Sequence, residues 1–163
     1  MILPYKKAAC CLVLRDNKIL AVSRKYDQSL WGLPGGSVET SELTESAALR
    51  ELYEETGMNG QIVKHLYTGY DSDSVLVSTF LIESEDESLK KEDNTHIKWC
   101  PPRQLIDESP FSHYNVHVIN SLISFGYLQN STLQEDTIYE DILFGCCIIV
   151  SAVISVLLIL FFI

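Results

Sequence analysis

The order of apolar and polar positions divides the chain into short β-like runs, one long helical stretch and a terminal block with no charge. Residues 7–14 and 18–23 are β-rich and are separated by Arg15-Asp16-Asn17, a hairpin signal. Residues 25–29 are polar and loop-like. They lead into Leu30-Trp31-Gly32-Leu33-Pro34-Gly35-Gly36, where three glycines and a proline allow a bend that other residues resist. Leu43, Ala47, Leu49 and Leu52 supply an apolar face, which predicts a helix from Ser41 or Glu42 to Thr56, with Ser41 or Thr40 as N-cap and Gly57 as stop. Residues 61–67, 75–82 and 96–99 read as further strands, with an acidic loop over 83–94 between the last two. Pro101-Pro102 opens a helical turn near 103–106. Val116, Ile119, Leu122, Ile123 and Phe125 predict a closing helix over 114–125. Strands before and after a central helix, with a second helix late, predict an α+β fold, an α/β/α sandwich around a mixed sheet.

Composition changes this picture at one end. A length of 163 residues suits one ordinary domain, and the 47% hydrophobic content hides an uneven distribution. Residues 142–163 carry no charge, and only Gly145, Ser151 and Ser155 interrupt the apolar run. As a helix this block would span about 33 Å, enough for a hydrocarbon core of roughly 30 Å. The expected organisation is therefore a globular domain over 1–128, an acidic linker over 129–141 and a single C-terminal transmembrane helix over 142–163. No residue follows Ile163 and residues 1–11 lack a signal peptide's apolar run, so the expectation is a tail anchor with the domain facing the cytosol. The flank Glu135, Asp136, Glu140, Asp141 gives that orientation no positive-inside support, and the target membrane stays open. Cys146 and Cys147 could accept acyl chains, although free cysteines are the expectation.

A net charge of −10 argues against stable binding of nucleic-acid duplex, which needs a basic face. The 5 cysteines are odd in number and include two adjacent pairs, which suits a reducing compartment better than a disulfide framework. Nothing in the chain sets an oligomeric state.

Glu51, Glu54 and Glu55 stand at i, i+3 and i+4 on the central helix, so their carboxylates project from one face. They repel one another, and near a helix C-terminus they also oppose the macrodipole. A divalent cation removes the conflict, and carboxylate and carbonyl oxygens suit hard Mg²⁺ or Mn²⁺. Arg50 can pair with a neighbouring carboxylate and fix its orientation.

Glu42 and Arg50 fall at fixed offsets after a Gly-Gly loop, and the set resembles the signature of the Nudix hydrolases. Gly36, Glu42, Arg50, Glu51, Leu52, Glu54, Glu55, Gly57 and Met58 fill every position of that motif, and Trp31-Gly-Leu-Pro-Gly-Gly looks like the family's lead-in. The flanking strands fit the family's order from about residue 5 to 127, and the resemblance implies its sandwich fold. It also implies hydrolysis of a nucleoside diphosphate linked to another group. By the same resemblance Glu51, Glu54 and Glu55 would be metal ligands, with the Gly35 carbonyl as a further contact. Glu51 or Glu54 would orient or deprotonate the attacking water. Arg50 would hold a glutamate by salt bridge, and Glu42 would support the loop-helix geometry. In some relatives the base sits in a later loop, where Glu92 or Asp93 could serve here. Arg24 follows the second strand, where relatives often place a basic residue against the substrate phosphates. An ordinary strand-end charge is an equal reading.

Tyr67, Tyr70 and Phe80 could stack a base, although strand aromatics are more often core. His65, His96, His113 and His117 show no ligand spacing and read as structural. The expected function is a membrane-held, metal-dependent pyrophosphohydrolase taking a nucleoside triphosphate to the monophosphate and pyrophosphate. The alternatives are nucleotide sugars such as ADP-ribose, dinucleoside polyphosphates, RNA 5′ ends, or a membrane-held module that binds nucleotide without turnover.

Overall fold

Asp16 and Asn17, both with positive φ (50° and 59°), make a two-residue turn between the first two strands, so that Leu14 faces Ile19 and Arg15 faces Lys18. Short polar side chains tolerate this left-handed geometry, and its twist suits a hairpin. A computed structural model describes residues 6–86, 96–107 and 109–129 of the chain. Its elements run β1 (Lys7–Arg15), β2 (Lys18–Ser23), β3 (Trp31–Gly32), β4 (Gly35–Ser37), α1 (Thr44–Thr56), β5 (Gln61–Tyr70), β6 (Leu76–Glu83), β7 (Ile97–Cys100), α2 (Pro102–Asp107) and α3 (Ser112–Ser124). All belong to the unit Met1–Leu128.

The sheet is mixed. Its main path is β3-β2-β1-β6-β5, with β4 added on β1 and β7 on β2. β1 lies parallel to β6, from Lys7 beside Leu76 to Val13 beside Ile82, and every other pairing is antiparallel. Being central, β1 is covered on both faces, which is why it reads as a nearly unbroken apolar run. Ala9, Cys11 and Val13 join Ala47, Ala48 and Leu52 of α1 in one core cluster with Phe80, Ile82 and Met58. Leu12 of β1 and Ile19 of β2 instead border Leu105 of α2 and Val118 and Ile119 of α3. Helices thus lie on both faces, as the sandwich expectation requires. The alanines of α1 bring its backbone close to the sheet, where the buried Cys11 thiol donates to the Ala48 carbonyl at 2.7 Å.

Three details depart from the expectations. α1 begins at Thr44 after Leu43, with no side-chain cap, because Ser41 takes a left-handed φ of 67° and cannot open the helix. The glycine-rich run is not only a bend: Trp31–Gly32 and Gly35–Ser37 are short strands. α3 starts at Ser112, earlier than expected, and Phe125 lies just beyond its end and is exposed. Gly57 does stop α1, at φ 73°, its N–H donating to the Tyr53 carbonyl at 2.8 Å. Among the described residues no helix is long and apolar enough to cross a membrane. The expected linker beyond Gln129, the expected span 142–163 with Cys146 and Cys147, and the candidate bases Glu92 and Asp93 lie outside the described residues.

Candidate active site

The site is assembled where α1 crosses β4. Strand β4 pairs with β1, with Gly35 opposite Cys10 and Gly36 opposite Ala9. Lacking side chains, these two residues let carboxylates approach their backbone. The Glu51 carboxylate lies where a β-carbon of residue 36 would be, and the Gly35 N–H donates to Glu55 Oε2 at 2.9 Å.

Arg50 organises the remaining charges. Its Nε and Nη2 form a fork on the two oxygens of Glu42, both at 3.0 Å. Its Nη1 donates to Glu51 Oε1 at 2.8 Å and to the more exposed Glu54 Oε2 at 3.2 Å, and Nη2 also donates to the Ser37 carbonyl at 3.0 Å. The planar fork of five N–H donors makes this possible, and lysine has no equivalent. Glu42 Oε2 accepts from the Glu39 N–H at 3.0 Å, which ties the loop before α1 to the same guanidinium.

Hydrogen bonding to Arg50 and the Glu39 amide holds the Glu42 carboxyl below its ordinary range. Glu51 goes the other way: burial raises it most, Arg50 counters, and the charges of Glu54 and Glu42 raise it further. The Arg50 guanidinium is held above its ordinary value, chiefly by Glu42.

Among the described residues no three His, Cys, Asp or Glu side chains close on one point as a metal cluster. The reason is visible in the hydrogen bonds: Arg50 draws Glu51 and Glu54, while the Gly35 amide draws Glu55. The donors nonetheless suit a hard divalent cation, since they are oxygens on one helix face and Glu51 is stacked against bare glycine backbone. At Gly35 the structure brings its amide to Glu55.

The same glycines border a pocket of about 190 Å³ whose lining includes Cys10, Arg24, Leu33, Asp71, Phe111 and Tyr114. Arg24 lies in this pocket. Its guanidinium covers the Phe111 ring at 4.5 Å, and among the described residues its buried Nε finds no hydrogen-bond partner. Tyr114, on the wall, passes a hydrogen-bond chain from Thr79 (2.8 Å) to the Val77 carbonyl (3.1 Å). Desolvation raises its hydroxyl first, and the Thr79 hydrogen bond counters.

The NUDIX domain family model matches residues 4–120, nearly three quarters of the chain. The chain belongs to the Nudix family. It is 40% identical over 58 residues to a Bacillus subtilis protein provisionally named an 8-oxo-dGTP diphosphatase, covering 36% of this chain and 39% of that protein. It is 34% identical over 95 residues to diphosphoinositol polyphosphate phosphohydrolase 2 of Rattus norvegicus, covering 52% and 53%. The chain therefore spans about half or less of the curated relatives it matches. A Nudix hydrolase crystal structure from Nitrosomonas europaea superimposes with a TM-score of 0.65 at 19% identity, covering 77% of this chain and 76% of the other, which supports the fold.

The pocket aromatics differ from the expected ones. Phe80 is buried in the core beside His65, Tyr67 stacks on His117 at 5.0 Å, and Tyr70 is exposed at the end of β5. None of the three borders the pocket, and Phe111 and Tyr114 do. Neither they nor Asp71 gave a sequence signal, since the walls come from segments far apart in the chain. The histidines have side-chain partners: His65 with Thr68 at 2.7 Å, His96 with the distant Gln28 at 2.9 Å, and His113 edge-on to His117.

Proposed function

We propose that this Nudix protein is a metal-dependent pyrophosphohydrolase that cleaves a phosphoanhydride of a nucleotide, a nucleoside triphosphate giving the monophosphate and pyrophosphate. One observation carries the reading. Glycines 35 and 36 are shared by the glutamates of α1 and by the pocket, so a substrate seated in the pocket presents its phosphates to the carboxylates. Glu51, Glu54 and Glu55 would hold Mg²⁺ or Mn²⁺, with the Gly35 carbonyl as a further contact. Such an ion neutralises phosphate charge and lowers the pKa of bound water.

The chain's own groups do the rest. Arg50 keeps Glu51 and Glu54 on one side of α1, and Glu42 fixes Arg50. Glu51, raised by burial, is the better placed of the two candidate proton acceptors, because it is less exposed than Glu54. Arg24 brings a cation to the substrate pocket. The 8-oxo-dGTP name of the Bacillus subtilis relative supports a triphosphate substrate.

Residues 142–163 hold the protein to a membrane, and the domain faces the cytosol. The uncharged length supports the first statement. The cysteine pattern, odd in number with two adjacent pairs, supports the second, since it suits a reducing compartment better than a disulfide framework.

The test is product release by the full chain in detergent against nucleoside triphosphates, ADP-ribose, dinucleoside polyphosphates and capped RNA. Monophosphate and pyrophosphate from a triphosphate are expected. Preferred turnover of another member replaces the substrate, and no turnover of any sinks the enzyme reading. For the membrane, the chain should pellet with vesicles after alkaline carbonate, and external protease should digest the domain. Release by carbonate, or protection of the domain, would overturn the respective statement.

A further inference from the structure

Among the described residues that line the pocket, Arg24 is the one cation. Its own N–H donates to the Leu30 carbonyl at 2.9 Å, and the register continues with Ser23 beside Trp31 and Val22 beside Gly32. Arg24 and Gly32 are therefore diagonal neighbours across two strands, a separation that a long side chain can span. The guanidinium does span it. A β-carbon on residue 32 would stand 2.6 Å from Arg24 Nη2, 3.1 Å from Cζ and 3.3 Å from Nε, so the guanidinium fills the room that the missing side chain leaves. The Phe111 ring packs on the same group, 4.5 Å from Cζ.

This seat leaves little of the group open. Nε is buried without a partner among the described residues, so a ligand can meet the guanidinium only through its Nη groups. Asp71, the carboxylate in the same lining, is engaged elsewhere. Its Oδ1 accepts from the amides of Asp73 and Val75, both at 2.9 Å, and among the described residues it forms no ion pair with Arg24. A guanidinium only donates, and its strong partners are oxyanions. From Gly32 the chain continues through Leu33 and Pro34 to Gly35 and Gly36, the backbone that Glu55 and Glu51 approach.

We propose that Gly32 is a positioning residue for substrate phosphate: its bare backbone, with the Phe111 ring, seats Arg24 so that the Nη groups bind a phosphate of the nucleotide. This role rests on the nucleotide reading above. A free arginine side chain loses rotamer entropy when it takes hold of a ligand, and a seat that holds it beforehand removes that cost. Gly32 lacks the left-handed φ of Gly35, so alanine can adopt its backbone. The atoms in the way of a methyl group are the end of a flexible side chain. Gly32→Ala therefore displaces the guanidinium and spares the fold.

The experiment is calorimetric titration of inorganic triphosphate, a phosphate chain without base or sugar, into the full chain in detergent. Ca²⁺ is present as a hard cation for the α1 carboxylates. Gly32→Ala and Arg24→Gln should each weaken binding at least about tenfold, the effect of losing one hydrogen bond to a charged group. Gly32→Ala added to Arg24→Gln should cost nothing more, because no guanidinium is left to position. In kinetics with the nucleoside triphosphate that turns over, Gly32→Ala should raise KM at least about tenfold and leave kcat within about threefold, the pattern of a lost contact made equally by bound substrate and transition state. Phe111→Leu keeps apolar volume and removes the attraction of the ring. It should lose about twofold to thirtyfold in triphosphate affinity, again only where Arg24 is present, and serves if Gly32→Ala misfolds.

Parent-like binding in Gly32→Ala or in Arg24→Gln would overturn the inference, as would failure of the parent chain to bind triphosphate. So would a Gly32→Ala loss that persists in the Arg24→Gln chain, since the glycine would then act on something else. Triphosphate binding that depends on both residues, without turnover of any nucleotide, would sink the hydrolase reading and leave this one standing. Turnover with the same KM in parent and Gly32→Ala would do the reverse.

Discussion

The Glu51 carboxylate occupies the place where residue 36 would carry a β-carbon, so the absence of a side chain at Gly36 is what seats that glutamate. Gly36→Ala should therefore act on activity more than on folding. The obstructing atoms are the end of a flexible side chain, which can swing away and leave the fold intact. Turnover should fall by at least about tenfold, the scale of a misplaced reacting group, with a thermal midpoint within a few degrees of the parent. Gly35→Ala should show the opposite balance. Its β-carbon would sit 2.7 Å from Cys10 Sγ and 2.8 Å from Cys10 Cα, and the backbone there cannot move aside cheaply. Paired melting curves and rates check both, and a Gly36→Ala protein of full activity would remove the argument for the Glu51 position.

Arg50 joins Glu42, Glu51, Glu54 and the Ser37 carbonyl through one planar group, so Arg50→Lys keeps the charge and loses the geometry. A lysine can reach one or two of these partners. The remaining carboxylates repel, and the loop before α1 loses its tie through Glu42. Losing hydrogen bonds to charged groups costs roughly 1.5 to 3 kcal/mol each when buried, and less for a site that is a quarter exposed. The expected result is a melting point several degrees lower and turnover slower by about ten- to a hundredfold, the range for loss of outer-shell support. Activity near the parent value would show that charge alone suffices.

Glu54 is half-exposed, and among the described residues its side chain is held only by the longest of the Arg50 bonds, 3.2 Å. Glu54→Gln should leave the melting point nearly unchanged, because an exposed ion pair contributes little. Its effect should fall on Mg²⁺ affinity and turnover, since an amide is a poorer ligand for a hard cation than a carboxylate. Chelator should abolish activity of the parent chain, and Mg²⁺ or Mn²⁺ should restore it. Metal titration of the parent and variant separates the two effects. A variant with the parent's metal affinity would take Glu54 out of the ligand set.

What could be read from the chain depended on how local its cause was. Arg50, Glu51, Glu54 and Glu55 share one helix, and the Gly57 stop follows from a left-handed residue, so spacing alone placed them together. Gly35 and Gly36 were legible as an opening, but two- and three-residue strands have no alternation to betray them. The start of α1 was misplaced because Ser41 and Glu42 look like a cap and a first turn, whereas Glu42 is drawn off to Arg50 and the Glu39 amide. The pocket was the least legible part. Arg24 meets Phe111 only because β2 and the chain before α3 converge in space. Asp71 reads in sequence as an ordinary turn residue.

Cys10 borders the pocket, yet it should be chemically quiet. Desolvation dominates and pushes its thiol from the ordinary 9.0 up to about 12. Arg24 pulls the other way, and Glu55, Glu51 and Asp71 add to the rise. Thiolate is the reactive form, so moving from 9.0 to about 12 lowers its population about a thousandfold at pH 8. Iodoacetamide at that pH should leave Cys10 unmodified in the folded protein and label it in denaturant, as read by peptide mass spectrometry. The same shift carries a sign for stability. The folded state keeps the proton longer than the unfolded chain, so above pH 9.0 the unfolded state binds fewer protons and stability falls as pH rises toward 12. Below 9.0 the contribution is fully present. Cys10→Ala removes this titration, so its thermal midpoint should decline less steeply than the parent's over that window. Cys11, raised by burial as well, keeps the slope from vanishing. Labelling of folded Cys10 at the denatured rate would show that the pocket floor is wetter than its geometry implies.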